Sequence, residues 1–183
     1  MMPELSLNIL DVAKNSVSAG ASRIGIAIRA DSAADRLTIT IEDNGCGMSP
    51  ETVARVIDPF YTTRTTRKVG LGVPFFKMAA ELTGGALRID STPGEGTCVT
   101  ATFGLHHIDR MPLGDLASSF CALVQSNPEI DFVLDYAVDD RSFTIRTAEY
   151  REILGDVSLS EPEVLAFISA NIQEGIGECG GAI

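Results

Sequence analysis

The spacing of apolar residues along the first hundred positions predicts helices packed on a sheet of short strands. Apolar residues recur at helical spacing in segments that predict helices: 4–18, a segment starting at 49, and 73–83. Apolar and polar residues alternate in segments that predict half-buried strands: 22–30, 36–42, 86–91 and 97–103. This order of elements predicts an α+β fold, an antiparallel or mixed sheet with helices on one face.

The same patterns continue beyond residue 112 in a shorter stretch. They predict a helix over 113–126, a hairpin of strands 132–138 and 142–147, and a helix over 160–172. The glycine-rich stretch 175–181 is expected to be a frayed tail. About 70 residues support only a marginal core. We therefore expect a small α/β unit that packs against the first unit or against a partner.

Composition indicates an ordinary folded protein with an acidic surface. The 183 residues are 45% apolar and 21% charged, and the formal net charge is −11. That charge argues against a surface for nucleic acid or an anionic membrane, because both need a basic footprint. There is no run of about 20 apolar residues and no leader segment, and the four scattered cysteines indicate reduced thiols. We expect a cytoplasmic protein with no nucleic-acid or membrane partner.

Acidic charge is concentrated in the second part of the chain. Residues 1–104 contain 11 acidic and 10 basic side chains, a net charge of −1, whereas residues 105–183 contain 14 and 4, a net charge of −10. This step predicts two domains, 1–108 and 112–183. The alternative is one domain with an acidic face. We expect the acidic unit to dock or regulate a protein partner and to contribute nothing to a ligand pocket in the first unit.

A carboxylate and a carboxamide lie one turn apart on the first predicted helix. Asp11 and Asn15 are neighbours on the helix surface, away from its apolar face and in the same quadrant as Asn8. Such a pair can orient a water or hydroxyl and occupy one position in the shell of a Mg²⁺ ion, which uses few protein ligands. Polar residues on the outer face of a helix are also the default, so the pair alone is weak evidence.

Three glycine-containing segments add candidate chemistry. Residues 43–48, Asp-Asn-Gly-Cys-Gly-Met, end a strand where a carboxylate can accept from an exocyclic amine. Residues 70–74 open a helix whose free N–H groups favour phosphate, and the basic residues Arg64, Arg67 and Lys68 lie close by. Residues 94–97 enter a strand where a threonine hydroxyl can complete a pocket. Each segment alone also matches an ordinary turn or loop.

The order and spacing of these segments resemble the ATP-binding domain of the GHKL superfamily, shared by gyrase, heat-shock chaperone, histidine kinase and mismatch-repair ATPases. Residues 15–24 are similar to the mismatch-repair N-box, 43–48 to the DxGxG adenine box and 94–97 to the GxGT box. Residues 58–64, Asp-Pro-Phe-Tyr-Thr-Thr-Arg, and the GLGL-like 70–73 resemble segments of short-lid sensor histidine kinases. The resemblance spans about 5–103 and implies a two-layer Bergerat-type α/β sandwich with a mobile lid over 61–69.

The resemblance also implies a role for each matching residue. Asn15 is expected to coordinate Mg²⁺ on the triphosphate, Asp43 to accept from the adenine amino group with help from Thr97, and Arg64 or Lys68 to approach the phosphates. The residues expected to bind ATP are Asn15, Asp43, Gly45, Gly47, Met48, Phe60, Thr63, Arg64, Lys68, Gly70, Leu71, Gly72, Val73 and Thr97. Asp11 is the expected catalytic residue, and ATP and Mg²⁺ are the expected cofactors.

Two departures from the family pattern leave the activity open. Hydrolytic relatives place Glu four residues before the Mg²⁺ asparagine, where this chain has Asp11, which is one methylene shorter. We expect no phospho-accepting histidine segment before the first helix, so that His106 and His107 are either surface histidines of a linker or acceptors themselves. We favour transfer of the γ-phosphate to a partner protein, as in histidine or anti-sigma serine kinases. The alternatives are a slow stand-alone ATPase and a non-catalytic ATP sensor, and the oligomeric state is open.

Overall fold

A computed structural model gives the fold and describes residues 3–57 and 71–183. The first part of the chain contains α1 (Leu5–Ser18), β1 (Arg23–Asp31), β2 (Arg36–Asp43), α2 (Pro50–Val56), α3 (Gly72–Leu82), β3 (Ala86–Thr92) and β4 (Gly96–Gly104). The second part contains α4 (Leu116–Ser126), β5 (Asp131–Val138), β6 (Arg141–Arg146), α5 (Thr147–Leu154) and α6 (Pro162–Glu178). Among these helices, none is long and apolar enough to cross a membrane.

All the strands belong to one mixed sheet. Their order is β3-β4-β2-β1-β5-β6. The β1–β5 pair is parallel, with Ile24 opposite Phe132, and the other pairs are antiparallel. The predicted α+β fold with a mixed sheet is therefore confirmed. The predicted hairpin β5–β6 is present, and β1 with β2 and β3 with β4 form antiparallel hairpins as well.

The core lies between this sheet and the helices on one of its faces. Alternate residues of β1 and β2 are buried, among them Ile24, Ile26 and Ile39, because only one face of these strands is covered. Above them, α1 lies between α3 and α4. The position of α1 matters for function, since it contains both Asp11 and Asn15.

The C-terminal hairpin extends the sheet of the first part of the chain. β5 pairs with β1 from Arg23 to Ala30, so it covers all but the last residue of that inner strand. The N–H groups of Leu5 and Ser6, at the start of α1, donate to the carbonyl oxygens of Pro112 and Leu113 at 3.0 and 2.8 Å. The expectation that this part packs against the first unit is confirmed. The functional division into 1–108 and 112–183 stays a prediction, although the two parts share one sheet and one core.

The expected frayed tail is wrong, because α6 continues to Glu178. Gly175 faces the ring of Phe143, and a Cβ at this glycine would lie 2.6 Å from ring atoms. The glycine therefore allows the helix to pack closely on β6. The helix α5 has no counterpart among the predicted elements, and α4 begins later than predicted because Asp115 caps it by accepting from the Ser118 N–H at 2.9 Å.

Asn8 was expected on the polar outer side of the first helix, but the structure buries it. Its side chain is buried, with 1% of its surface exposed. α1 packs against both α3 and α4, so protein covers more of its surface than the apolar face alone. The amphipathic pattern of α1 does not reveal this second packing surface.

Candidate functional site

The predicted adenine-binding carboxylate lies where α1 meets the end of β2. Asp43 follows the buried Ile39 and Ile41 at two-residue spacing, so its side chain projects from the same face of the sheet. There the Ser16 hydroxyl donates to Oδ2 of Asp43 at 2.5 Å, and the Gly45 N–H donates to Oδ1 at 2.9 Å. Because both oxygens accept from donors within the protein, the orientation of the carboxylate is fixed.

A cluster of hydroxyl groups completes this end of the site. Thr97 lies directly opposite Asp43 in the β2–β4 pair. The Ser91 hydroxyl on β3 accepts from the Met48 N–H at 2.8 Å, lies 2.8 Å from Oγ1 of Thr97 and donates to the Gly96 carbonyl at 3.0 Å. Ser91 thus joins the loop after β2 to the β3–β4 hairpin, and the fold brings Asp43, Met48 and Thr97 together, while their contact with adenine stays a prediction.

The two glycines of the loop after β2 are required by contacts within the protein. A Cβ on Gly45 would lie 2.8 Å from the Cβ of Ala19, at the end of α1. Gly47 has φ of +64°, and a Cβ there would overlap the carbonyl oxygen of Thr92. These contacts explain the glycines without a ligand, so their expected contact with adenine stays a prediction.

The predicted catalytic carboxylate lies beside the first turn of α3. A Cβ placed on Gly72 would lie 3.0 Å from the Cβ of Asp11 and 3.6 Å from its Oδ2. No side-chain cap precedes α3 at Leu71, so N–H groups of its first turn, such as those of Gly72 and Val73, are suited to a ligand. Asn15 is exposed one turn from Asp11 along α1. A carboxylate, a carboxamide and helix N–H groups therefore lie in one neighbourhood.

Part of the expected nucleotide site lies outside the described residues. This applies to Phe60, Thr63, Arg64, Lys68 and Gly70, and to the expected lid over 61–69. Their roles stay predictions. The described part of the GLGL-like segment, Leu71 to Val73, leads directly into α3.

Asn15 has a side-chain oxygen of the kind that binds a nucleotide-bound magnesium ion. Residues 3–57 and 71–183 contain no cluster of three or more His, Cys, Asp and Glu side chains that could hold a metal by themselves. Magnesium binds oxygen, uses few protein ligands and keeps waters and phosphate oxygens. The exposed carboxamide of Asn15, one turn along α1 from Asp11, fits this requirement when the nucleotide supplies the other ligands.

The two histidines lie at the opposite end of the sheet from Asp43. Nδ1 of His106 lies 2.7 Å from Oδ1 of Asp35, and this hydrogen bond lowers the pKa of Asp35 below its usual value. Asp35 immediately precedes β2 and Asp43 ends it, which at about 3.3 Å per residue separates them by roughly 25 Å. His107 packs on Gly104, at the same end as His106. Neither histidine is placed to accept a phosphoryl group from a nucleotide held at Asp43 of the same chain.

The sequence analysis missed two residues of the site, Ser16 and Ser91. Ser16 lies on the apolar face of α1 and is 4% exposed. Ser91 follows Leu87 and Ile89 at the inward positions of β3. In both cases a serine stands at a position where the apolar periodicity predicts a core residue. Because a buried hydroxyl needs a hydrogen-bond partner, such a serine indicates a polar contact inside the fold.

The first part of the chain matches a known family. Residues 2–107, more than half of the chain, match the model for histidine kinase-, DNA gyrase B- and HSP90-like ATPases. The sensor protein kinase FleS of Pseudomonas aeruginosa is 38% identical over 92 residues, which are 50% of this chain and 23% of that protein. The non-motile and phage-resistance protein of Caulobacter vibrioides is 31% identical over 122 residues, 63% of this chain and 14% of that protein. The chain therefore spans less than a quarter of either relative.

A solved structure shares the fold over a larger part of the chain. The MutL ATPase domain of Aquifex aeolicus, complexed with ADP, superimposes with a TM-score of 0.50 and 15% identity. The similarity covers 84% of this chain and 70% of that one. It therefore extends beyond the segment that matches the family model.

Proposed function

This chain belongs to the histidine kinase-, DNA gyrase B- and HSP90-like ATPase family, and we propose that it binds Mg·ATP and transfers the γ-phosphoryl group to a partner protein. The main support is the position of α1 between two chemically different groups. At one end of α1, Ser16 holds Asp43; further along the helix, Asp11 lies beside Gly72. One helix thus links an acceptor suited to adenine with N–H groups suited to phosphate.

Asp43 is the proposed determinant of base selectivity. An ionised carboxylate only accepts hydrogen bonds, and Asp43 already accepts from the Ser16 hydroxyl and the Gly45 N–H. The 6-amino group of adenine is a matching donor, whereas guanine has a carbonyl at this position. Thr97, opposite Asp43 and beside Ser91, supplies a further hydroxyl for the base or for a bridging water.

The phosphates are proposed to lie at the start of α3. The N–H groups of Leu71, Gly72 and Val73 would bind phosphate oxygens, with Asn15 as the protein ligand of magnesium. Magnesium, when bound, neutralises phosphate charge and orients the triphosphate. Phe60, Thr63, Arg64, Lys68 and Gly70 are proposed to complete this region from the segment between α2 and α3. The MutL domain that shares this fold is described in complex with ADP, which supports a nucleotide in this fold.

Asp11 is proposed to act as the general base. A hydroxyl or imidazole of the partner attacks the γ-phosphorus, the new bond to oxygen or nitrogen forms, and the bond to the β,γ-bridging oxygen breaks with release of ADP. Asp11 receives the proton that the nucleophile loses. Its position beside Gly72 supports this role, because a base must lie close to the γ-phosphate.

Slow hydrolysis is the second candidate activity. It uses the same Asp11 with water as the nucleophile, and the half-buried setting of Asp11 against α3 favours it, since a water there would contact both the carboxylate and the phosphate site. In a non-catalytic ATP sensor, Asp11 has no role in a reaction. We propose a cytoplasmic location for all three cases, supported by four cysteines that form no disulfide.

The deciding experiment is incubation of the full chain with γ-labelled ATP, alone and with cell extract. Phosphotransfer produces labelled protein, hydrolysis produces labelled inorganic phosphate, and a sensor produces neither while still binding ATP. The matched control is Asp11→Asn, which should abolish either product but retain ATP in an equilibrium binding assay. Equal affinity for ATP and GTP would overturn the proposed role of Asp43.

A further inference from the structure

The sheet has an open edge in the acidic second part of the chain. β6 (Arg141–Arg146) is the last strand in the order, and within the described residues no strand pairs with its outer side. An outer strand offers unpaired N–H and C=O groups to an incoming extended chain. β6 is six residues long with an arginine at each end, and the chain continues directly into α5 at Thr147.

An apolar groove of about 260 Å³ lies beside this edge. It is formed by residues of β6, α5 and α6, among them Ile145, Tyr150, Ile153, Phe167 and Asn171. Ile153 is 82% exposed and Phe167 is 60% exposed, so two of the six large hydrophobic side chains that are exposed in the described residues lie here. Such clustering is typical of an interaction site rather than of scattered surface residues.

The floor of the groove is held in place by specific contacts. The rings of Tyr150 and Phe167 meet edge to face with centroids 6.1 Å apart. The Asn171 Nδ2 group donates to the Tyr150 hydroxyl at 2.8 Å. A preformed groove requires less ordering on binding than a flexible one, which favours affinity.

The charge around the groove selects among possible occupants. Glu163 and Glu174 flank Phe167 at helical spacing on the exposed face of α6. Among the described residues, neither glutamate takes part in an ion pair. On β6, Arg146 pairs with Glu149 at 3.3 Å and Arg141 donates to the Glu178 carbonyl at 3.4 Å. Acidic side chains outnumber these arginines in this part of the chain, where residues 105–183 contain 14 acidic and 4 basic side chains. A second copy of the chain is a poor occupant, since it has the same acidic face and a net charge of −11.

We propose that the β6 edge and the adjoining groove bind an extended, basic segment of a partner protein. The segment adds to the sheet as a further strand beside β6, as in other cases of strand addition. An apolar side chain of the segment lies between Ile153 and Phe167, and its Lys or Arg side chains face Glu163 and Glu174. This docking site is separate from the nucleotide site and does not depend on the proposed activity.

The test uses a defined peptide rather than an unidentified partner. The probe is a fluorescein-labelled peptide, Lys-Val-Lys-Phe-Lys-Val-Lys-Val, blocked at both ends, and its anisotropy is measured with the full chain at low and high salt. One comparison peptide has Glu in place of every Lys, and another has Pro in place of the valines, which removes backbone donors. We expect saturable binding of the Lys peptide that weakens with salt, and at least about tenfold weaker binding of both comparison peptides.

Variants of the chain locate the binding. The combined change Ile153→Ser and Phe167→Ser, and separately Glu163→Gln with Glu174→Gln, should each weaken the Lys peptide about tenfold or more. Ile108→Ser is the matched control, because Ile108 is 94% exposed and lies outside the groove, and it should bind as wild type. Amide exchange at residues 141–146 should slow on binding if a strand pairs there.

Several results overturn the proposal. They are the absence of binding by the Lys peptide, equal binding of the Pro peptide, or unchanged affinity in the groove variants. Circular dichroism of each variant confirms that it is folded before binding is scored. Sedimentation that shows a dimer abolished by the groove variants would overturn the proposal in favour of a second copy of the chain.

Discussion

The Ser16 hydroxyl donates to Oδ2 of Asp43 at 2.5 Å, across 27 positions of sequence. This bond joins the face of α1 that packs on the sheet to the end of β2. It means that the helix that contains Asp11 and Asn15 is in direct contact with the residue proposed to select adenine. Movement of α1 would therefore change both the base site and the phosphate site.

Replacement of Asp43 tests base recognition. Asp43→Asn is expected to abolish measurable ATP binding, because an amide NH₂ group replaces one of the two acceptor oxygens and faces a donor, either the Ser16 hydroxyl or the Gly45 N–H. Binding is measured by displacement of a fluorescent ATP analogue. Asp90→Asn is the matched control, since Asp90 is an exposed strand carboxylate that pairs with Arg88. Retention of ATP affinity in Asp43→Asn would contradict the assignment.

Ser16→Ala tests whether the hydroxyl orients the carboxylate. Hydrogen bonds to charged groups contribute about 1.5–3 kcal/mol, so ATP affinity should fall by about tenfold or more while the preference for ATP over GTP decreases. Ser18→Ala is the control, because the Ser18 hydroxyl donates to the Lys14 carbonyl on the exposed side of α1. If both variants bind ATP as wild type does, Ser16 has only a packing role.

Replacement of Asp11 should impair catalysis but leave ATP binding intact. Asp11→Asn is expected to retain ATP affinity and to lose about 10²–10⁴ in the rate of phosphate release or phosphotransfer. Asp11→Glu should raise the hydrolytic rate if the shorter side chain limits contact with water. Gly72→Ala places a methyl group 3.0 Å from the Cβ of Asp11. It should therefore lower the rate of phosphate release or phosphotransfer markedly while changing the free energy of unfolding little. A full rate in Asp11→Asn would favour the sensor function.

Buried groups in the second part of the chain should make the fold sensitive to alkali. Burial raises the pKa of the Tyr136 phenol to about 12 and that of the Cys121 thiol to about 11. The folded state thus holds these protons more tightly than the unfolded state. The contribution of these two protonated groups to the free energy of unfolding should be fully present below about pH 9 and should be lost as the pH rises through their pKa values in the folded state.

The measurement is the urea midpoint between pH 7 and 12 for wild type and Tyr136→Phe. The Tyr136 hydroxyl donates to the Gly181 carbonyl at 3.2 Å, so the variant loses some stability at neutral pH but should decline less steeply above about pH 10. Parallel curves for the two proteins would show that Tyr136 does not contribute to the alkaline loss.

Deletion of residues 110–183 should destabilise the first part of the chain. It removes the β5 partner of β1, the α4 helix beside α1, and the carbonyls of Pro112 and Leu113 that accept from the first turn of α1. In contrast to the division expected from the charge step, the shared sheet and core lead us to expect a lower and broader thermal transition, and weaker ATP binding as a consequence of the loss of order in α1. A cooperative transition at the wild-type temperature with unchanged ATP affinity would instead support 1–108 as an independent domain.

The sequence by itself determined most of the local structure and the order of the candidate site. Periodicity is a local property, so it located α1, the β1–β2 hairpin and the β3–β4 hairpin correctly. The segments around Asn15, Asp43, Gly72 and Thr97 are short and contiguous, and this allowed the family to be recognised from the residues alone. The charge step near residue 105 is equally visible, although its functional meaning stays a prediction.

Only the tertiary structure decided which distant residues meet. The parallel pairing of β5 with β1 depends on packing across a hundred residues, and no local pattern encodes it, so the second part of the chain was not expected to extend the same sheet. The contacts of Ser16 with Asp43 and of Ser91 with Met48 and Thr97 are likewise long-range. The close approach of Asp11 to Gly72 depends on how α1 packs against α3. Side-chain type and spacing are local, but hydrogen-bond partners and burial are set by the packing of the whole chain.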